Sequence, residues 1–108
     1  MDRVQSLMSR SEDLSNFLSA IASSKRTLIL CCLARRECNV GELSEAVGLP
    51  QTVISQHLSK LRALKLVRTR REAQNIFYSI ADDHVVQLVD LLCDIFCGDD
   101  DQNDQAVA

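Results

Sequence analysis

The stretch VGELSEAVGLPQTVISQHLSKLRAL, residues 40–64, breaks its helical pattern once, at Gly48-Leu49-Pro50, and that break constrains the fold more than any other feature of the chain. Gly48 offers the left-handed conformation that ends helices, and Pro50 presets the backbone where a new one begins. The pattern predicts a short helix over Val40 to Val47 and another from about Gln51 to Leu64, a helix-turn-helix. In such a pair the N-terminal end of the second helix enters the major groove of DNA. Gln51, Thr52, Ser55 and Gln56 are thereby placed to meet base edges or phosphates, since glutamine can bond adenine through two atoms and hydroxyls reach either target. His57, beside Leu58 and close to Leu61, fits two roles equally well: DNA contact, or a hydrogen bond beneath the helix.

After this pair, Leu66 to Arg71, the polar turn Glu72 to Asn75 and the β-rich IFYSI predict a hairpin, with Val67, Thr69, Ile76, Tyr78 and Ile80 carrying strand propensity. The ribbon is basic. Between Gln51 and Glu72 six Lys or Arg residues face one acid, Glu72 itself. The overall charge of −3 does not argue against nucleic acid, because four aspartates sit in the terminal GDDDQNDQAVA. A local stripe, not net charge, is the footprint that duplex DNA requires. Lys60, Arg68, Arg70 and Arg71 are expected to neutralise phosphates, each adding about one unit of salt dependence. Gln74, at the hairpin's turn, is a further polar candidate.

Two helices are expected ahead of this reader. Over residues 10 to 22, Leu14, Phe17, Leu18 and Ile21 recur at helical spacing, with Ser11 and Asp13 as capping candidates. From about Ser24 to Arg35 the pattern is apolar almost all round, which predicts a central helix. A last helix runs from Asp82-Asp83 to about Cys97 and carries two apolar strips. Val85, Leu88, Val89, Leu92 and Ile95 or Phe96 form one, and Val86, Cys93 and Cys97 the other. One strip suits the chain's own core and the other a partner subunit, so a homodimer is expected. The class is mainly α with a small β-hairpin wing: a winged helix-turn-helix of five helices, the hairpin lying between the fourth and the fifth. Residues 1–98 should form one DNA-binding and dimerisation domain, and 99–108 an unordered acidic tail. At 108 residues and 46% hydrophobic content one modest core is affordable. No apolar run approaches the roughly 20 residues of a membrane span, and MDRVQSLMSRSED lacks the centre of a secretion signal, so a cytoplasmic location is expected.

Five cysteines, an odd number, argue against a structural disulfide framework and make any bridge a regulated event. Cys31 and Cys97 belong to the two helices expected to pack together. A direct bridge needs Cα atoms roughly 4.4 to 6.8 Å apart, and inserted sulfur would span a longer gap. Cys93 and Cys97, four apart, share a helix face that could hold a soft metal or an arsenical with a third thiolate from Cys31 or Cys32. Cys32 and Cys93 otherwise read as small packing residues. Cys38, beside Arg35 and Arg36, could have a lowered thiol pKa but reads first as incidental. His84 has no second histidine for a zinc pair and reads as a helix-start surface residue. No Ser-His-Asp order, phosphate-cradling glycine loop or Cys-x-x-Cys is present, which argues against an enzyme; no cofactor is expected.

From about Asp13 to Cys97 the chain resembles the ArsR/SmtB family of winged-helix repressors, through KRTLILCCL, VGELSEAVGLPQTVISQHLSKLR and RREAQNIFYSI. The resemblance implies a homodimer that binds double-stranded operator DNA and releases it on sensing a chemical. Cys31 in ILC and Cys97 after Phe96, 66 residues apart, match the persulfide-responsive branch of SqrR, BigR and HlyU type. By that resemblance they are the sensor pair, linked by a disulfide or polysulfide when reactive sulfur species or oxidants act as inducer. The helix at Gly41 to Val47 lacks the cysteine motif of arsenic and cadmium sensors. Two alternatives stand beside this reading: an arsenical or metal sensor using Cys93, Cys97 and Cys32 or Cys31, and an anti-silencing activator.

Overall fold

The structure, a computed structural model, describes the backbone of residues 2–107 and the side chains of residues 2–97. In chain order it contains α1 (Arg3–Ser9), α2 (Ser11–Ile21), α3 (Ser24–Arg35), α4 (Val40–Val47), α5 (Gln51–Ala63), β1 (Val67–Glu72), β2 (Asn75–Ile80) and α6 (Asp83–Val107). The fold is the expected mainly helical one with a two-stranded wing.

The helix expected over residues 10 to 22 is present as α2, and the N-terminal region adds another, α1, ahead of it. The two are separated at Arg10, whose φ of −123° and ψ of 23° leave the helical region. α1 owes its start to Asp2, whose Oδ1 accepts the Gln5 N–H at 2.8 Å. It buries no residue and leaves Val4, Leu7 and Met8 exposed, so no core-facing stripe announced it. Ser11 and Asp13 do not cap α2, which lacks a side-chain cap; Asp13 instead pairs with Arg10 at 3.4 Å.

α3 is the hub. The Ser23 hydroxyl caps it, and Ile29, Leu30 and Leu33 are buried along its length. Its first turn is tied back to α2, because Arg26 Nε donates to the Ala20 carbonyl at 2.9 Å and Thr27 Oγ1 donates to the Ile21 carbonyl at 2.6 Å. Around it pack Ala20 from α2, Leu43 from α4, Ile54, Leu58 and Leu61 from α5, Val67 and Ile80 from the wing, and Val89 from α6.

The turn of the helix-turn-helix follows the chemistry of its residues. Asn39 and Glu42 form a reciprocal capping box on α4, with bonds of 2.8 and 2.9 Å. Gly48 ends α4 at a φ of +79°, and Pro50 is the N-cap of α5. In the wing the strands pair antiparallel from Val67↔Ile80 to Glu72↔Asn75, and the turn between them places Ala73 at a φ of +55°.

α6 differs from expectation in how its apolar residues divide. Val85, Val86, Val89 and Cys93 face the core, so the strip of Val86 and Cys93 joins the core row. Leu88, Leu91, Ile95 and Phe96 are exposed instead. A 3.6-residue repeat fixes which residues share a row, while the neighbouring helix decides which row turns inward. The backbone of α6 continues past the end expected at about Cys97 to Val107, while the side chains of residues 98–108 lie outside those described.

Two substitutions should separate packing from backbone strain. Leu30→Ala removes a fully buried side chain from the hub and should cost about 2–5 kcal/mol. Gly48→Ala meets open space but must hold φ at +79°, and should cost about 1 kcal/mol. Urea unfolding of both variants measures the difference.

Candidate nucleic-acid interface and thiol site

Burial of Ile54, Leu58 and Leu61 turns the opposite side of α5 outward, and Gln51, Thr52, Ser55, Gln56 and Lys60 are all exposed there. Gln51 and Ser55 share a groove with Asn39 and Gly41 at the start of α4 and with Gln74 and Tyr78 of the wing. Two of the expected base-contacting residues, Gln51 and Ser55, thus share one concave surface with the wing's turn. His57 lies at the edge of this set, half-buried. Burial, and then the charges of Arg26, Lys60 and Lys25, push its imidazole below the ordinary histidine pKa.

The wing arginines are not equivalent. Strand alternation puts Arg68 and Arg70 on one face and Arg71 on the other. Among the described residues Arg68 and Arg71 make no ion pair and are exposed, free to meet phosphate. Arg70 is committed within the fold. Its Nε lies 3.1 Å from Glu37, a second guanidinium nitrogen pairs with the same carboxylate, and Nη1 lies 2.8 Å from Glu72. The guanidinium also covers the Phe77 ring at 5.0 Å from its centroid. The two carboxylates raise the Arg70 pKa, while Arg70 holds Glu37 below the usual carboxylate value. One residue on, Cys38 and Tyr78 exchange two backbone hydrogen bonds, Cys38 N–H to the Tyr78 carbonyl at 3.1 Å and the reverse at 2.8 Å. The wing is therefore latched to the segment joining α3 to α4. Sequence reasoning missed Glu37, since a partner 33 residues away leaves no local signal.

The cysteines divide by environment. Cys31, half-buried on α3, is joined in a disulfide to Cys93 of α6, with Cα atoms 6.8 Å apart. Cys97, which the family resemblance pairs with Cys31, lies one turn further along α6 than Cys93 and is exposed with a free thiol. The structure thus brings Cys31 to the thiol that the sequence suggested was packing. Cys32 is half-buried and free, and burial pushes its thiol up against the lowering effect of Arg36. Cys38 does not take the lowered pKa that its arginine neighbours suggested: it is buried, and desolvation outweighs Arg36 and raises its thiol. Cys93, Cys97 and Cys32 do not assemble a three-ligand metal cluster among the described residues. His84 is exposed beside Asp82, the surface position expected of it.

The family profile of bacterial regulatory proteins of the arsR type matches residues 23–69, from the cap of α3 into β1. The chain is 54% identical over 86 residues to the nodulation protein NolR of Rhizobium meliloti, covering 80% of this chain and 70% of that protein. The chain belongs to the arsR family. The transcriptional activator HlyU of Vibrio cholerae is 44% identical over 80 residues, 74% of each chain. A structure of reduced HlyU from that organism superposes with a TM-score of 0.79 at 40% identity, covering 86% of this chain and 98% of that one. The transcriptional repressor BigR of Xylella fastidiosa superposes equally well, with a TM-score of 0.79 at 35% identity over 90% of this chain and 98% of that one. This member of the family is a winged helix-turn-helix transcriptional regulator, not an enzyme.

Because Arg70 must leave Glu37 to meet a phosphate, the wing arginines should contribute unequally. Arg68→Ala and Arg71→Ala should each lower the slope of log affinity against log salt by about one. Arg70→Ala should change the slope less. Fluorescence anisotropy with duplex DNA at several salt concentrations reads all three.

Proposed function

We propose that this protein is a homodimeric repressor that binds operator DNA when its thiols are reduced and releases it when Cys31 becomes covalently linked to α6. The reading surface comprises Gln51, Thr52, Ser55, Gln56, His57 and Gln74, with Lys60, Arg68, Arg71 and, once released from Glu37, Arg70 holding phosphates. The inducers are reactive sulfur species or oxidants. Reactive sulfur links Cys31 to Cys97 through inserted sulfur atoms, which span the extra helical turn.

The observation that carries this reading is the position of Cys31: a thiol on the hub helix, within covalent reach of a thiol on α6, a helix that also exposes an apolar row. A bond there acts on core and assembly together. The likeness to reduced HlyU, a relative described by its redox state, supports the same reading. Dimerisation is supported by Leu88, Leu91, Ile95 and Phe96, four large apolar side chains exposed along one helix. The activator reading shares this DNA surface and is favoured by the likeness to HlyU, an activator.

For the switch to be effective, linkage must change DNA affinity by about 5- to 150-fold. Cys31→Ser should bind operator with unchanged affinity when reduced and keep binding after exposure to a persulfide donor or peroxide; release by this variant sinks the sensor reading. Dimerisation is tested by Ile95→Asp, which should sediment as a monomer and lose tight operator binding.

A further inference from the structure

Two thiols on α6 stand at different distances from Cys31. Cys93 is half-buried, packs against the core from α6, and is bonded to Cys31 across Cα atoms 6.8 Å apart. Cys97 lies on the same side of the helix, displaced along the axis by about 6 Å at 1.5 Å per residue, and is exposed with a free thiol. Direct disulfides occur at Cα separations of roughly 4.4 to 6.8 Å. Cys93 meets that limit with the helices as they are packed, whereas Cys97 is a helical turn beyond the thiol that does.

We propose that Cys93 is a resolving thiol: once Cys31 has been oxidised, Cys93 attacks it and closes a direct Cys31–Cys93 disulfide, independently of Cys97. This rests on Cys31 being the sensor thiol. With hydrogen peroxide, the Cys31 thiolate attacks one oxygen, the O–O bond breaks, hydroxide leaves as water, and Cys31 becomes a sulfenic acid. The Cys93 thiolate then attacks Cys31 Sγ, the S–O bond breaks, and a second water leaves. Two electrons pass from the thiol pair to the peroxide, and both thiol protons end in water. With an alkyl hydropersulfide, Cys31 takes the outer sulfur and releases the alkyl thiol. Cys93 attacks Cys31 Sγ as before and expels hydrogen sulfide, so the sulfane sulfur is the electron acceptor.

The consequence is a division of labour between the α6 thiols. An oxidant that carries no sulfur has atoms only for the short bridge, so it engages Cys93. A sulfur donor can also build the longer bridge to Cys97. The chain then responds to peroxide through a residue that sulfur sensing by Cys31 and Cys97 does not require.

The test uses the full-length protein in its wild-type, Cys97→Ser, Cys93→Ser and Cys93→Ala forms, the last keeping an apolar side chain at this packed position. Each is exposed to stoichiometric peroxide or to an alkyl hydropersulfide, alkylated, and digested without reduction for peptide mass spectrometry; operator binding is measured in parallel. In Cys97→Ser, peroxide should join the Cys31 and Cys93 peptides with loss of two hydrogens and weaken operator binding at least fivefold. Both Cys93 variants should keep their DNA after peroxide, yet release it after persulfide. The proposal is overturned if Cys97→Ser forms no Cys31–Cys93 link, or if the Cys93 variants respond to peroxide as the wild type does. Failure of the sensor reading is visible separately, as release that persists in Cys31→Ser.

Discussion

Everything in this fold leans on α3. Ile29, Leu30 and Leu33 are buried between helices that precede and follow it, and the reading helix α5, the wing strand β2 and the terminal helix α6 all pack on that one element. A 108-residue chain can bury only one core, so whatever alters α3 is felt at every other surface. The sensor role proposed for Cys31 would therefore put chemistry at the mechanical centre. Packed cores respond to such changes by switching between arrangements instead of yielding gradually.

Much of this was legible in the residues because the decisive signals are local. Gly48 and Pro50 bound the turn of the helix-turn-helix, and α3 and α4 occupy the predicted ranges. What escaped was set by tertiary geometry. α1 has an N-cap but no buried face, so periodicity could not find it. Cys93 and Cys97 occupy the same side of α6, and no sequence pattern fixes how far that helix slides along α3; one turn of slide exchanges the thiol that meets Cys31. The same limit explains the division of α6 into an inner row with Val86 and Cys93 and an outer row with Leu91 and Ile95.

Electrostatics shows a similar split between what composition implies and what position decides. Six cations and one acid over residues 51–72 make a basic stripe despite a negative total. Yet one of those cations, Arg70, is held by Glu37 and Glu72 and lies over Phe77. An exposed ion pair contributes little stability, about 0 to 1 kcal/mol. What Glu37 supplies is orientation: with the backbone bridge at Cys38 and Tyr78, it fixes the wing against the end of α3.

These attachments show how a bond made at Cys31 can reach DNA without a dedicated pathway. α3 is bonded through Cys31 to α6, continues through Glu37 and Cys38 to the wing, and packs directly on the reading helix. α6 in turn follows the wing after a turn in which Asp82 accepts the His84 N–H at 2.7 Å. The loop is closed: α3, wing and α6 constrain one another, and the exposed row of α6 is where a second copy would rest. In a dimer, a small displacement of α6 along α3 changes the separation of two reading helices that must meet successive major grooves about 34–36 Å apart. On the proposed reading, which α6 thiol is joined to Cys31 sets that displacement, so the thiol chosen, and not merely the fact of oxidation, determines the geometry presented to DNA.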